Sequence, residues 1–195
     1  MWRRERNRLD FFVVDGKDSA RKIVLYCSQM PSIDAKKYES VVLYLAKKLG
    51  GEIHGKKKLA KLLYFVDFDF FEKHEKSVTG DIYKALPMGP FPEHMSEIVK
   101  LLQDEKKMTV ETIPEHERYH PTEVYKLTAT DIDEKRLSPD EKGMLDYVVE
   151  KYGRMNGKEL EVLTHAEAPY IGTAPGQEIA YELAFYRGTS LSDHA

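Results

Sequence analysis

Cysteine is almost missing from this chain of 195 residues, with Cys27 standing alone. A single thiol excludes an internal disulfide framework and fits a reducing compartment. Long apolar runs are missing too. No stretch approaches the roughly 18 apolar residues of a membrane-crossing helix. The opening MWRRERNRLDFFVV is too short in apolar residues before Asp15 for a secretory leader. A surplus of positive charge is lacking, since the formal net charge is −3 and the pI about 6.2. That balance argues against a generic nucleic-acid or anionic-membrane binder. No GxSxG, P-loop, GxGxxG or HExxH pattern occurs, and there is no internal repeat. These absences lead us to expect a cytoplasmic protein with no membrane, metal or cofactor, and without enzyme activity.

What the chain does contain is core. Apolar residues make up 42% and aromatics 11%, enough to bury a hydrophobic interior. The richest stretch is Lys56 to Pro92, KKKLAKLLYFVDFDFFEKHEKSVTGDIYKALPMGPFP. Leu59, Leu62, Leu63, Val66 and Phe70 recur with helical spacing, while Tyr64, Phe68 and Phe71 fall roughly opposite. A helix apolar on two faces belongs inside, with other helices around it. Lys57, Lys58 and Lys61 mark its polar side near the start. Behind it, Pro87, Pro90 and Pro92 with Gly89 exclude helix interior and central strand, and predict a tight loop.

The remaining chain reads as more helices and one hairpin. Residues 1–33 form an extension, with a short strand or arm holding Arg3, Arg4, Arg6 and Arg8, then a helix to about Gln29. Residues 34–187 form the main domain, and 188–195 a flexible tail. Within the domain a helix starts at Ser32 or Asp34 and ends at Gly50-Gly51, with Tyr38, Val41, Val42 and Leu45 inward. Another runs from Glu93 or His94 to about Asp104. Alternating residues near 108–113 and 123–128 predict a β-hairpin with a long loop. Ser138-Pro139-Asp140-Glu141 is a capping box that opens a helix to Tyr152. Asn156 caps a short helix, and Gln177 to Tyr186 reads as the last. The expected fold is mainly α, of α+β type: a compact multi-helix bundle around one buried central helix, with a small hairpin.

Three pieces in order carry a family resemblance: KLAKLLYFVDF (Lys58–Phe68), TGDIYKA (Thr79–Ala85) and GPFP (Gly89–Pro92). Together they resemble the Panacea domain, the SocA-like antitoxin domain of bacterial and phage toxin–antitoxin loci. The likeness runs from about Tyr38 to Tyr186 and thins after Lys107. It implies an antitoxin that neutralises a co-encoded toxin by direct contact. Leu62, Leu63, Tyr64, Asp67, Thr79 and Gly80 match the motif positions and are expected in structural roles, with Asp67 bonding the following loop or a partner.

The partner-binding candidates follow from the rigid prolyl segment, which loses little entropy when bound. They are Tyr83, Met88, Gly89, Pro90 and Phe91, with Lys57 and Lys61 as contacts to acidic groups; Tyr83 and Phe91 have core packing as the alternative. Asp67 and Asp69 sit about 160° apart on a helix and cannot serve one substrate atom. His116 and His120 have metal-ligand spacing, but prolines bracket them in a loop and no third ligand is near. Helices followed by a hairpin outline a winged helix–turn–helix, so operator DNA remains a second partner. Delivery of a bound protein to a protease and homodimer formation also stay open.

Overall fold

The computed structural model describes residues 33–114 and 122–187. The arginine cluster, the predicted first helix with Cys27, the His116–His120 pair and the 188–195 tail lie outside the described residues.

Helix α1 (Ala35–Lys48) opens on the Asp34 carboxylate, which accepts from the Lys37 N–H at 3.0 Å. Its stripe of Tyr38, Val41, Val42 and Leu45 is wholly buried. Strand β1 (Glu52–His54) follows, then α2 (Lys56–His74). Every residue of α2 from Leu59 to Phe70 is buried, including Lys61, Asp67 and Asp69. After it come strands β2 (Tyr83–Leu86) and β3 (Gly89–Pro92), helix α3 (Met95–Asp104), and strands β4 (Met108–Ile113) and β5 (Thr122–Leu127). Helix α4 (Pro139–Tyr152) begins at the Ser138 capping box, and α5 (Gly157–His165) at a second one on Asn156. A short α6 (Ala168–Ile171) and a 3-10 turn (Tyr181–Tyr186) close the described chain. The architecture is α+β. Helix α2 packs against α4, α5, β3 and the 3-10 turn. Among the described residues no helix is long and apolar enough to cross a membrane.

The β4–β5 hairpin has Val110 opposite Tyr125, and β1 adds to its far side to give an antiparallel sheet ordered β1-β5-β4. Two local expectations need correction. The proline-rich segment is not an irregular loop but a two-stranded ribbon, β2 against β3, turning at Pro87-Met88. The last helix is also shorter than Gln177–Tyr186, because residues 177–179 spend their backbone groups on β2 instead. The Ala85 N–H donates to the Gln177 carbonyl at 2.9 Å, and the Ile179 N–H to the Tyr83 carbonyl at 2.7 Å.

Candidate functional site

The loop after α2 is held by one carboxylate. Asp67 is fully buried and accepts four hydrogen bonds: from the Val78 N–H at 2.8 Å, the Thr79 N–H at 2.8 Å, the Thr79 hydroxyl at 2.5 Å and the Tyr83 hydroxyl at 2.7 Å. Burial pushes its carboxyl up to about 6, against the pull of those donors. The four donated hydrogen bonds favour the ionised form and offset part of that rise. Asp81 continues the clamp. It accepts from the Tyr38 hydroxyl at 2.9 Å and the Ile82 N–H at 2.7 Å, and it contacts the His94 ring at 2.7 Å. One end of the ribbon is thereby fastened to α1, α2 and the start of α3.

Strand β3 shows why prolines suit this ribbon. Antiparallel pairs alternate between hydrogen-bonded and open. The Glu93 N–H donates to the Ile82 carbonyl at 2.8 Å. By alternation, Lys84–Phe91 and Leu86–Gly89 are the bonded pairs, and Pro92 and Pro90 fall at the open ones. Their missing N–H groups would have pointed away from β2, toward α2 and α5. That edge then carries a carbonyl with no accompanying donor, and the Lys61 ammonium supplies one, 2.7 Å from the Pro90 oxygen. Lys61 is 1% exposed, and burial lowers its amine to about 7.

Gly89 makes this closeness feasible. Its φ is +90°, and an added Cβ would stand 2.8 Å from Lys61 Nζ and 2.9 Å from Thr164 Oγ1. Gly89→Ala is therefore expected to destabilise the protein by about 2 kcal/mol, from backbone strain and displaced packing together. A urea midpoint would measure it; a change under about 0.5 kcal/mol would show that the ribbon simply shifts.

Of the residues expected to face a partner, the ribbon exposes Met88 and, in part, Phe91. Met88 stands 62% exposed at the turn. Tyr83 does not face solvent: it is 0% exposed, its ring edge-on to Phe68 at 5.4 Å, because its hydroxyl is drawn in to Asp67. Lys61, Gly89 and Pro90 are likewise buried, the lysine turned inward by the bare Pro90 carbonyl. Phe91 is half-buried, with Lys56 Nζ 5.6 Å above its ring. Lys57 pairs with Glu161 of α5, an acidic group of its own chain. Leu62, Leu63, Tyr64 and Thr79 are buried, and Gly80 turns the loop at φ +75°. Exposed apolar residues that periodicity and motif spacing do not single out are Leu86 on the ribbon, Val162 and Leu163 on α5, and Ile171 on α6. Their elements adjoin, since the Tyr170 hydroxyl donates to the Leu86 carbonyl at 2.9 Å and Thr164 faces Gly89. Helical periodicity marks Leu163 as an inward position, which hides it.

A second charged cluster is equally invisible in the sequence. The Arg187 guanidinium, in a side chain only 6% exposed, pairs with Asp69, lies 2.6 Å from Glu167 and 3.7 Å from Glu72, and covers the rings of Tyr64 and Phe68. Burial raises the carboxyls of Asp69 and Glu167, and the guanidinium opposes that rise. No local signal links Arg187 to residues more than a hundred positions upstream.

Among the described residues no group of three or more His, Cys, Asp or Glu side chains is placed to hold a metal ion. A cavity of about 500 Å³ opens beside α1, but its charged walls are occupied with one another, as in Lys36 and Lys107 on Glu39. A family model described as "Antitoxin SocA-like, Panacea domain" matches residues 59–170, more than half of the chain. The match takes in Asp67, the ribbon, α5 and Glu167. No curated protein and no solved structure matches.

Proposed function

This chain belongs to the SocA-like antitoxin family of the Panacea domain, and from that premise we propose that it neutralises a co-encoded toxin by direct contact, acting in the cytoplasm as a binding module without catalysis. The observation that carries the reading is the contrast within the ribbon. Its base is locked by Asp67 and Asp81 and its β3 strand by Lys61, while Met88 stands exposed at its turn, with exposed Leu86 on the same ribbon and exposed Leu163 and Ile171 on the adjoining α5 and α6. Apolar side chains clustered on a rigid support suit an interface, because little freedom is lost on binding and apolar area is removed from water. The contact lies at the turn and the neighbouring faces of α5 and α6, rather than at Tyr83 or Lys61.

Met88→Asp is the test. It puts a charge where the partner is to exclude water, so binding should weaken about a hundredfold, as for a central contact. The readout is titration calorimetry against the growth-inhibiting protein encoded beside this chain, with loss of neutralisation in cells. The melting temperature should hardly move, because Met88 supports nothing beneath it. Unchanged affinity for that protein would move the interface elsewhere.

Operator DNA is a second reading, favoured by one observation. The order α1, β1, α2, α3, β4, β5 with a β1-β5-β4 sheet has winged helix–turn–helix connectivity, with the ribbon inserted before α3. Yet α3 exposes Lys100 and Gln103 beside Asp104, a sparse face for reading bases. A gel shift on the upstream DNA at low salt decides it.

A further inference from the structure

The cage around Arg187 has the composition of a ligand site and not only of a core ion pair. Its walls are the Tyr64 and Phe68 rings, 5.5 and 5.8 Å from the guanidinium carbon, and its acceptors are Asp69 and Glu167. The Tyr64 hydroxyl donates to Glu167 at 3.3 Å, which orients that carboxylate. Aromatic faces combined with carboxylates select a planar guanidinium over a compact ammonium. All four wall residues lie within the family match at 59–170, whereas the occupant, Arg187, lies beyond it.

The occupant fits imperfectly. Asp69 Oδ2, Arg187 Nε and Arg187 Nη2 are buried with no hydrogen-bond partner, so Glu167 meets Nε as a close ion pair without an aligned hydrogen bond. Asp69 is 2% exposed, so its second oxygen is cut off from water as well. Buried polar atoms left unmatched cost free energy that a two-pronged carboxylate contact would recover. Nor is the backbone leading to Arg187 deeply held. It is a short 3-10 helix of two turns seated by Tyr181 and Ala184, while Phe185 is 49% and Tyr186 74% exposed.

We propose that Tyr64, Phe68, Asp69 and Glu167 form a binding site for an arginine side chain, filled at rest by Arg187 and open to an arginine presented by another protein. The site is distinct from the apolar surface at Met88, and either can fail without the other.

Chemical replacement tests it. Full-length Arg187→Ala should melt several degrees lower, and millimolar N-ethylguanidinium should restore part of the loss, while N-ethylammonium should not. Adding Glu167→Gln should weaken guanidinium binding about tenfold, because it removes the carboxylate charge that faces the guanidinium. Chemical shifts of the Tyr64 and Phe68 rings report occupancy directly. In the wild type, N-acetylarginine amide should speed hydrogen exchange at the 183–187 amides and leave α2 amides unchanged, with N-acetyllysine amide inert. That arm stands even if Arg187→Ala does not fold. No rescue, equal rescue by the ammonium, or wild-type exchange indifferent to the arginine probe would overturn the proposal.

Discussion

Asp67→Asn is expected to cost about 4 kcal/mol of folding stability, because it breaks a fully satisfied buried carboxylate. The carboxylate accepts from two backbone N–H groups and two hydroxyls, with no water in reach. An asparagine offers one oxygen in place of two and turns an NH2 toward groups that are themselves donors. At least one buried donor is then left without an acceptor, and another faces a like dipole. Each such loss costs about 1–3 kcal/mol, and more when the bond was to a charge. Chemical denaturation would measure the total, and hydrogen exchange at residues 78–83 would show whether the loop has come free. A loss under about 1 kcal/mol would mean that the four bonds are not holding the ribbon. Because Asp67 fastens the base of the ribbon and not its turn, the same variant should also weaken partner binding, through lost rigidity.

The second large effect is a pH dependence carried by Lys61. Its amine is lowered to about 7 in the fold, from 10.5 for a free lysine. Between those values the unfolded chain binds the proton and the folded chain does not, so stability rises with pH. Below about 7 both states are protonated; the slope vanishes and the burial penalty is present in full. Each unit of separation is worth 1.36 kcal/mol, so the gain between about pH 7 and 9.5 should approach 3 kcal/mol. Buried Tyr38, Tyr64, Tyr83 and Tyr181 are all raised by burial. They pull stability down again above about 10, where unfolded tyrosines ionise. Glu161 and Lys57 act on Lys61 from nearby with opposite sign. Lys61→Met should flatten the rise between pH 7 and 9.5, and at neutral pH it exchanges a buried charge for a Pro90 carbonyl without its donor. Urea midpoints across that range, wild type against variant, isolate the lysine. A parallel rise in both proteins would assign the slope to other groups.

How much of this is legible depends on distance along the chain. Asp34, Ser138 and Asn156 are recognisable as caps because a cap acts on its own first turn. The β4–β5 strands alternate openly. The ribbon stays hidden because three prolines in six residues look hostile to any strand, and only the pairing register puts Pro90 and Pro92 where no N–H is needed. Likewise the type of Lys61 suggests a solvent-facing position. Nothing in its neighbours along the chain announces a donor-poor strand edge 29 positions on.

From the chain alone came the family motif, helices α1 to α5, the separate directions of Asp67 and Asp69, and the interest of the proline-rich bend, since local periodicity and backbone chemistry set all of these. Tertiary structure alone decided which of those side chains meet solvent. Tyr83 and Lys61 turned inward to satisfy Asp67 and Pro90, leaving Met88 outside, and Arg187 reached Asp69 across 118 positions. The physical reason is that a buried polar atom must find its partner in space, and the chain's order does not say where in space that partner will be.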